Sequence, residues 1–276
     1  HFFVLLRNKW QYKLCFLMRR IVKDKITRIY EILVVLTQKE IKIKYKNNMF
    51  GYLWAIANPL FFTLIYYFAF KIFMKVQVPN YPAFLVCALF PWQWISNSIN
   101  NGAWCFLGNT QIIKKTTFPK FTLILSNILM EGFHFVMSIP IILIFLWISG
   151  VKISPMVAIY IPLLSILQIC LITGISLTFS TICVFFRDIE RFVILGMTAL
   201  FYGTPIFYSP EMIPAKYQWV LALNPFAQLI ISWRSAFMDG TIHWQQLAHV
   251  GLWAVFFIGL GSFVYNKMKY KFAEVM

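Results

Sequence analysis

Negative charge is scarce in this sequence: Asp and Glu together number nine in 276 residues, and all charged residues amount to 12%. A water-soluble globule carries about twice that share on its surface. The few carboxylates exclude most acid-assisted and metal-assisted hydrolysis, which needs clustered acids. The five cysteines (Cys15, Cys87, Cys105, Cys170, Cys183) include no C-x-x-C pair, so neither a disulfide framework nor a zinc site is expected, and no metal site of another kind is found. A phosphate loop is missing too. The nearest approach, Gly108 to Thr116, has Asn109 and Lys114 where glycines are needed. If ATP is used, another chain binds it. His1-Phe2-Phe3, without an initiator Met or an A-x-A site, reads as a truncation boundary rather than a signal peptide.

What is present is apolar. Hydrophobic residues make up 60%, aromatic residues 19%, and the mean hydropathy is +0.71. A lipid solvent accounts for such a composition, and the expected fold class is an all-α membrane protein. Six runs have the length and polarity of membrane spans, at about 53–73, 83–99, 121–149, 155–186, 192–208 and 247–265, the fourth with a bend expected at Pro162. The net charge of +16 follows the topology rather than pointing to nucleic acid. With both termini in the cytoplasm, twenty cations fall on that side and five on the other.

Three segments stand outside these spans. Ile29, Ile32, Leu33 and Leu36 fall at i, i+3, i+4 and i+7 with charges elsewhere, which predicts an amphipathic interface helix over 28–45. Residues 106–120, with Lys114 and Lys115 before Phe118-Pro119, predict a short cytoplasmic helix shaped for docking. Residues 209–246 hold apolar pieces too short to cross and are expected to dip in from outside and return. The 187–191 cluster reads equally as a solvated turn, with Asp188 capping the next helix, and as a partner contact. Glu131 and His134 share a helical face, and a helix-to-helix hydrogen bond or a position near the cytoplasmic headgroups is favoured over a functional role. Aromatic groups at Trp54, Phe61, Phe62, Tyr66, Tyr67 and Phe68, and at Phe201, Tyr202, Phe207 and Tyr208, are able to stack on sugar rings, although any single one is expected to be packing.

A series of motifs then gains weight by its order: Lys44-Tyr45-Lys46, Gly51-Tyr52-Leu53-Trp54, Asn58-Pro59-Leu60, Phe90-Pro91-Trp92, Gly108-Asn109, Lys114-Lys115, Phe118-Pro119, Phe186-Arg187-Asp188, Pro205-Ile206-Phe207-Tyr208, Leu223-Asn224-Pro225, Arg234 and Lys271-Phe272-Ala273. Together they resemble the permease (transmembrane) subunits of type-2 ABC exporters for polysaccharides, over nearly everything after residue 28. Residues 1–27 form an extension without a recognised counterpart, and 28–276 the transmembrane domain.

The resemblance implies a homodimer in the inner membrane of a bacterium, two copies of a separate ATPase subunit that holds ATP and Mg, no cofactor on this chain, and a lipid-linked glycan as cargo. O-antigen stands first, which would make the protein part of lipopolysaccharide biosynthesis; capsule, teichoic acid or a small lipid or drug are the alternatives. It also implies a path along spans one and five (Trp54, Asn58, Phe61, Tyr66, Phe201, Tyr202, Phe207, Tyr208). Coupling to the ATPase is implied at Asn109, Lys114, Lys115, Phe118, Pro119, Arg187 and Asp188. The gate helix would carry Ile29, Ile32, Leu33 and Leu36, with outer re-entrant gate helices after span five. No catalytic residue is expected. A glycosyltransferase is disfavoured by the shortage of acids, and an ion channel by the lack of a charged ring or filter.

Overall fold

The computed structural model describes residues 27–44, 53–73, 75, 78–116 and 118–272, leaving aside the side chains of residues 55, 56, 58 and 59. The expected extension up to residue 26, the Gly51-Tyr52 motif and the Asn58 side chain lie outside the described residues. Among those described there is no strand. The elements are α1 (27–44), α2 (Leu53–Tyr66, continued as a π-helix over Tyr67–Phe73), α3 (Tyr81–Gly108), α4 (Thr110–Lys115), α5 (Phe121–Ile148), α6 (Val157–Phe185), α7 (Ile189–Gly203), α8 (Gln218–Leu223), α9 (Pro225–Met238) and α10 (Trp244–Met268).

Among the described residues, three helical stretches are long and apolar enough to cross a membrane: Phe121–Ile148, Val157–Phe185 and Trp244–Lys271. Each coincides with a run the sequence predicts, with ends shifted by a few residues. Pro140 and Pro162 lie inside α5 and α6 without ending either. Neighbouring helices and local adjustments re-satisfy the backbone a membrane proline frees.

Two expected boundaries move. The second apolar run was expected to stop at 99, yet α3 continues to Gly108, because its inward face stays apolar or small (Gly102, Ala103, Cys105, Phe106) while the outward asparagines find partners. The fifth run was expected to extend to 208. Instead α7 ends at Gly203 after fifteen residues, about 22 Å of helix, which is short of the hydrocarbon thickness. Its remainder, 204–208, is a turn.

In lipid, apolar contact alone gives helices little reason to associate, so close approach and internal hydrogen bonds hold the bundle. The tightest crossing joins α6 to α10. A Cβ on Gly174 would sit 2.4 Å from the Ile258 nitrogen and 2.4 Å from the Phe257 carbonyl carbon, and one on Gly261 would sit 2.6 Å from the Gly174 oxygen. Only hydrogen fits at either place. The core of α3, α5, α6 and α9 closes around Trp233, whose indole N–H donates to Gln168 Oε1 (2.8 Å), while Gln168 Nε2 reaches the Pro91 carbonyl (3.4 Å). Phe135 packs edge-on to Trp233 and stacks on Trp94.

Candidate functional site: an aromatic groove and its supports

The π-helical continuation of α2, the helix α7 and the turn after it bring one set of rings together. Phe207 is buried at the centre: it stacks on Phe70 (4.7 Å between centroids) and on Tyr66 (6.0 Å), and meets Phe201 and Tyr202 at 5.9 and 6.0 Å. A groove of about 290 Å³ opens beside them, lined on one side by Phe62, Tyr66, Phe201 and Tyr202, and on the other by Trp92, Gln93, Ser96, Asn97 and Asn100 of α3. Rings face amides across it. Aromatic faces accept the apolar side of a sugar ring, and amides match its hydroxyls, so the arrangement suits a carbohydrate better than a lipid tail.

The expected path residues therefore divide. Tyr66, Phe201 and Tyr202 line the groove, and Phe207 backs it. Tyr208 stands behind, its hydroxyl donating to the Tyr202 carbonyl (3.2 Å). Phe61 lies elsewhere, on an almost wholly apolar cleft with Leu60, Thr63, Leu64, Tyr67 and Phe145. Trp54 is exposed nearer the start of α2 and does not line the groove. The α3 wall went unread in the sequence. Its signal was available as polar residues at 93, 96, 97 and 100 inside an apolar run, a helical spacing.

The turn that carries Phe207 is held by a knot of residues from three motifs. The Asn224 side chain accepts from the Phe226 and Ala227 amides at the start of α9 and donates to Thr204 Oγ1 (3.3 Å). Ten residues on, Arg234 donates to the Pro205 and Ile206 carbonyls (2.8 and 2.9 Å) and to the Phe84 carbonyl (3.4 Å), with its guanidinium 3.5 Å over the Phe84 ring. Tyr81 donates to the Phe207 carbonyl (2.7 Å). No described carboxylate forms an ion pair with Arg234. Its positive charge is met by carbonyl dipoles beyond the end of α7, where the helix dipole is negative.

At the other end of α3, the amphipathic α1 lies against the bundle. Leu36 is buried and Ile32 packs on the core, while Ile29 and Leu33 are half-buried. Two polar ties fix it: Lys39 Nζ to Asn109 Oδ1 (2.9 Å) and Lys44 Nζ to Glu131 Oε1 (2.6 Å). Glu131, only 2% exposed, also accepts from Asn97 (3.4 Å) and Asn101 (3.3 Å) and faces His134 Nδ1 at 3.1 Å. The carboxylate thus makes the helix-to-helix bonds expected of it. Asn109, a residue implied for coupling, spends its side chain tying α3 to α1, its amide donating to the Cys105 carbonyl (2.9 Å).

Below, α4 is anchored by buried Ile113 and presents Lys114 and Lys115 outward. Phe118 packs on the core, and the Pro119 carbonyl accepts from Thr122 as α5 begins. Lys120 leans over the Phe272 ring (5.0 Å), where partial burial lowers its pKa from the ordinary lysine value. Arg187 and Asp188 are exposed at the turn into α7. Asp188 occupies the cap position, but its side chain makes no capping bond, which corrects the expectation; only its backbone oxygen accepts, from the Arg191 and Phe192 amides (3.0 and 3.4 Å).

Comparison with known proteins agrees in kind. Residues 31–238 match the family described as ABC-2 type transporter. An O-antigen export system permease protein RfbA of Klebsiella pneumoniae is 46% identical over 255 residues, 92% of this chain and 98% of that protein. The RfbA permease of Myxococcus xanthus is 27% identical over 88% of this chain and 94% of its own length. The polysialic acid transport protein KpsM of Escherichia coli is 24% identical over 74% of this chain and 80% of its own.

Proposed function

Since the chain belongs to the ABC-2 type transporter family, a multi-pass transport subunit rather than an enzyme, we propose that it exports a lipid-linked polysaccharide, O-antigen by preference, across the bacterial inner membrane. Two copies form the path between them, and two copies of a separate ATPase subunit supply ATP, Mg and the power stroke. The spans are α2 with its π-helical continuation, α3, α5, α6, α7 with the turn after it, and α10, with both termini in the cytoplasm. In this frame α4 with Lys114 and Lys115 docks on the ATPase, and Arg187 and Asp188 flank the contact. α1 is the inner gate, and α8 and α9 dip in from the outer side.

The observation that carries the reading is the groove in which Tyr66, Phe201 and Tyr202 face a row of amides. A sliding chain needs many weak contacts rather than one tight pocket, because tight binding at one place would stop it. The likeness to a polysialic acid transport protein keeps capsule export as the second reading. The test is Tyr202→Ala, with Phe201→Ala beside it, both on the groove. Export of surface polysaccharide should fall several-fold while the ATPase still co-purifies with the permease. Equal loss of both would make these rings folding elements and remove the groove from the path.

A further inference from the structure

α3 is almost wholly buried, and the positions it leaves open are not those of a lipid-facing helix. Gln93, Ser96, Asn97, Asn100, Asn101 and Trp104 are its partly or fully open residues between 93 and 104, and five of the six are amides or a hydroxyl. The steps of three and four put them on one face, over about 16 Å of helix axis. A stripe turned to hydrocarbon would be apolar, since each unsatisfied amide there costs several kcal/mol.

The stripe joins two cavities. Its outer half walls the aromatic groove. Its inner half walls a polar cavity of about 560 Å³ between α1, α3 and α5, where Asn100, Asn101 and Trp104 stand opposite Lys39, Glu40 and Lys44, with Glu190 at the edge. Asn100 lines both. Its amide nitrogen donates to Ser96 (3.3 Å), but its side-chain oxygen is buried and without a partner among the described residues. A buried acceptor left open at the junction of two cavities is a place for a donor that the chain does not itself supply.

Resting on the export reading above, we propose that this amide stripe is a hydrogen-bonding track for uncharged sugar units, handing hydroxyls from the inner cavity through Asn100 to the aromatic groove. Amides donate and accept at once, so each meets a hydroxyl in either role without a net charge to hold it. The stripe carries no charge, and both lysines of the inner cavity are paired, Lys39 with Glu40 and Lys44 with Glu131. Neutral residues of a glycan pass, and a chain with a carboxylate on every unit gains nothing from the track.

The test uses the whole transporter in cells lacking their own permease, with surface polysaccharide measured by sugar analysis. Asn100→Leu should cut export about tenfold, the rate equivalent of one net hydrogen bond. Gln93→Leu, at the far end, should lower it in the same direction, and Asn100→Gln should recover most of the Asn100→Leu loss. In a chain whose cysteines are replaced by serine, Asn100→Cys should react with a membrane-impermeant thiol reagent in inside-out vesicles, and Ser98→Cys, on the buried face, should not. Normal export by both leucine variants, or an Asn100→Cys as unreactive as Ser98→Cys, overturns the track while leaving the export reading in place. If removing the permease altogether leaves surface polysaccharide unchanged, the export reading fails and the track falls with it.

Discussion

Arg234 offers the sharpest test of how the groove is built. Arg234→Lys keeps the charge and removes the fork. One terminal nitrogen, Nη2, donates to both carbonyls at 205 and 206, and an ammonium can take its place there, but only by giving up the Nε–H bond to the Phe84 carbonyl and the flat contact with the Phe84 ring. One charge-assisted hydrogen bond is lost, about 1.5–3 kcal/mol. The stacking over a ring is weakened, about 1 kcal/mol. The total, about 3 kcal/mol, corresponds to a fall in Tm of roughly 6–10 °C for a chain of this size. Thermal unfolding of the detergent-solubilised protein, followed by tryptophan fluorescence, reads it directly. The damage should also reach function, because the knot, once loosened from Phe84 of α3, holds the turn that carries Phe207 less firmly and with it the floor of the groove: export should drop further than ATPase docking. A Tm within about 2 °C of the parent would mean that the guanidinium geometry contributes nothing, and the knot would have to be assigned to Asn224 and Tyr81 alone.

Three other substitutions probe other parts of the architecture. Gly174→Ala forces a methyl group into the backbone of α10 and should cost about 1–3 kcal/mol by overpacking; an unaltered Tm would refute the close crossing. Glu131→Gln removes the charge that holds Lys44, so hydrogen exchange over residues 39–44 should quicken while export stays largely intact. Complete loss of export by a folded Glu131→Gln protein would give the carboxylate a transport role instead. Reversing charge at α4, as Lys114→Glu with Lys115→Glu, should abolish co-purification with the ATPase and leave Tm in place, since both side chains are exposed. Retained docking would move the coupling contact elsewhere.

The long spans were legible because lipid imposes a simple rule on them: α5, α6 and α10 coincide with long apolar runs to within a few residues. The ends of α3 and α7 were not, and for opposite reasons. α3 outlasts its apolar run because Glu131, thirty residues further on, satisfies Asn101. α7 stops inside its run because Pro205 holds Thr204 in an extended conformation, a local stop that an apolar count passes over, and Arg234 then takes the carbonyls of 205 and 206. Periodicity reads only neighbours, and these partners lie far along the chain. The rings of the groove could be named individually in the sequence. That Phe61 belongs to a different cleft, and that α3 supplies the facing wall, depends on how α2 turns against its neighbours, which composition does not encode.

The two ties on α1 have a mechanical consequence. Lys39 and Lys44 sit about 7.5 Å apart along that helix, and one grips the C-terminal end of α3 while the other grips α5 at Glu131. A rod pinned at two points cannot swivel about either. On the proposed arrangement, with α1 as the inner gate and α4 as the docking element, a thrust entering through α4 must carry the rod along bodily or unpin both ends at once, so the doorway would answer as a two-position catch rather than a hinge that drifts.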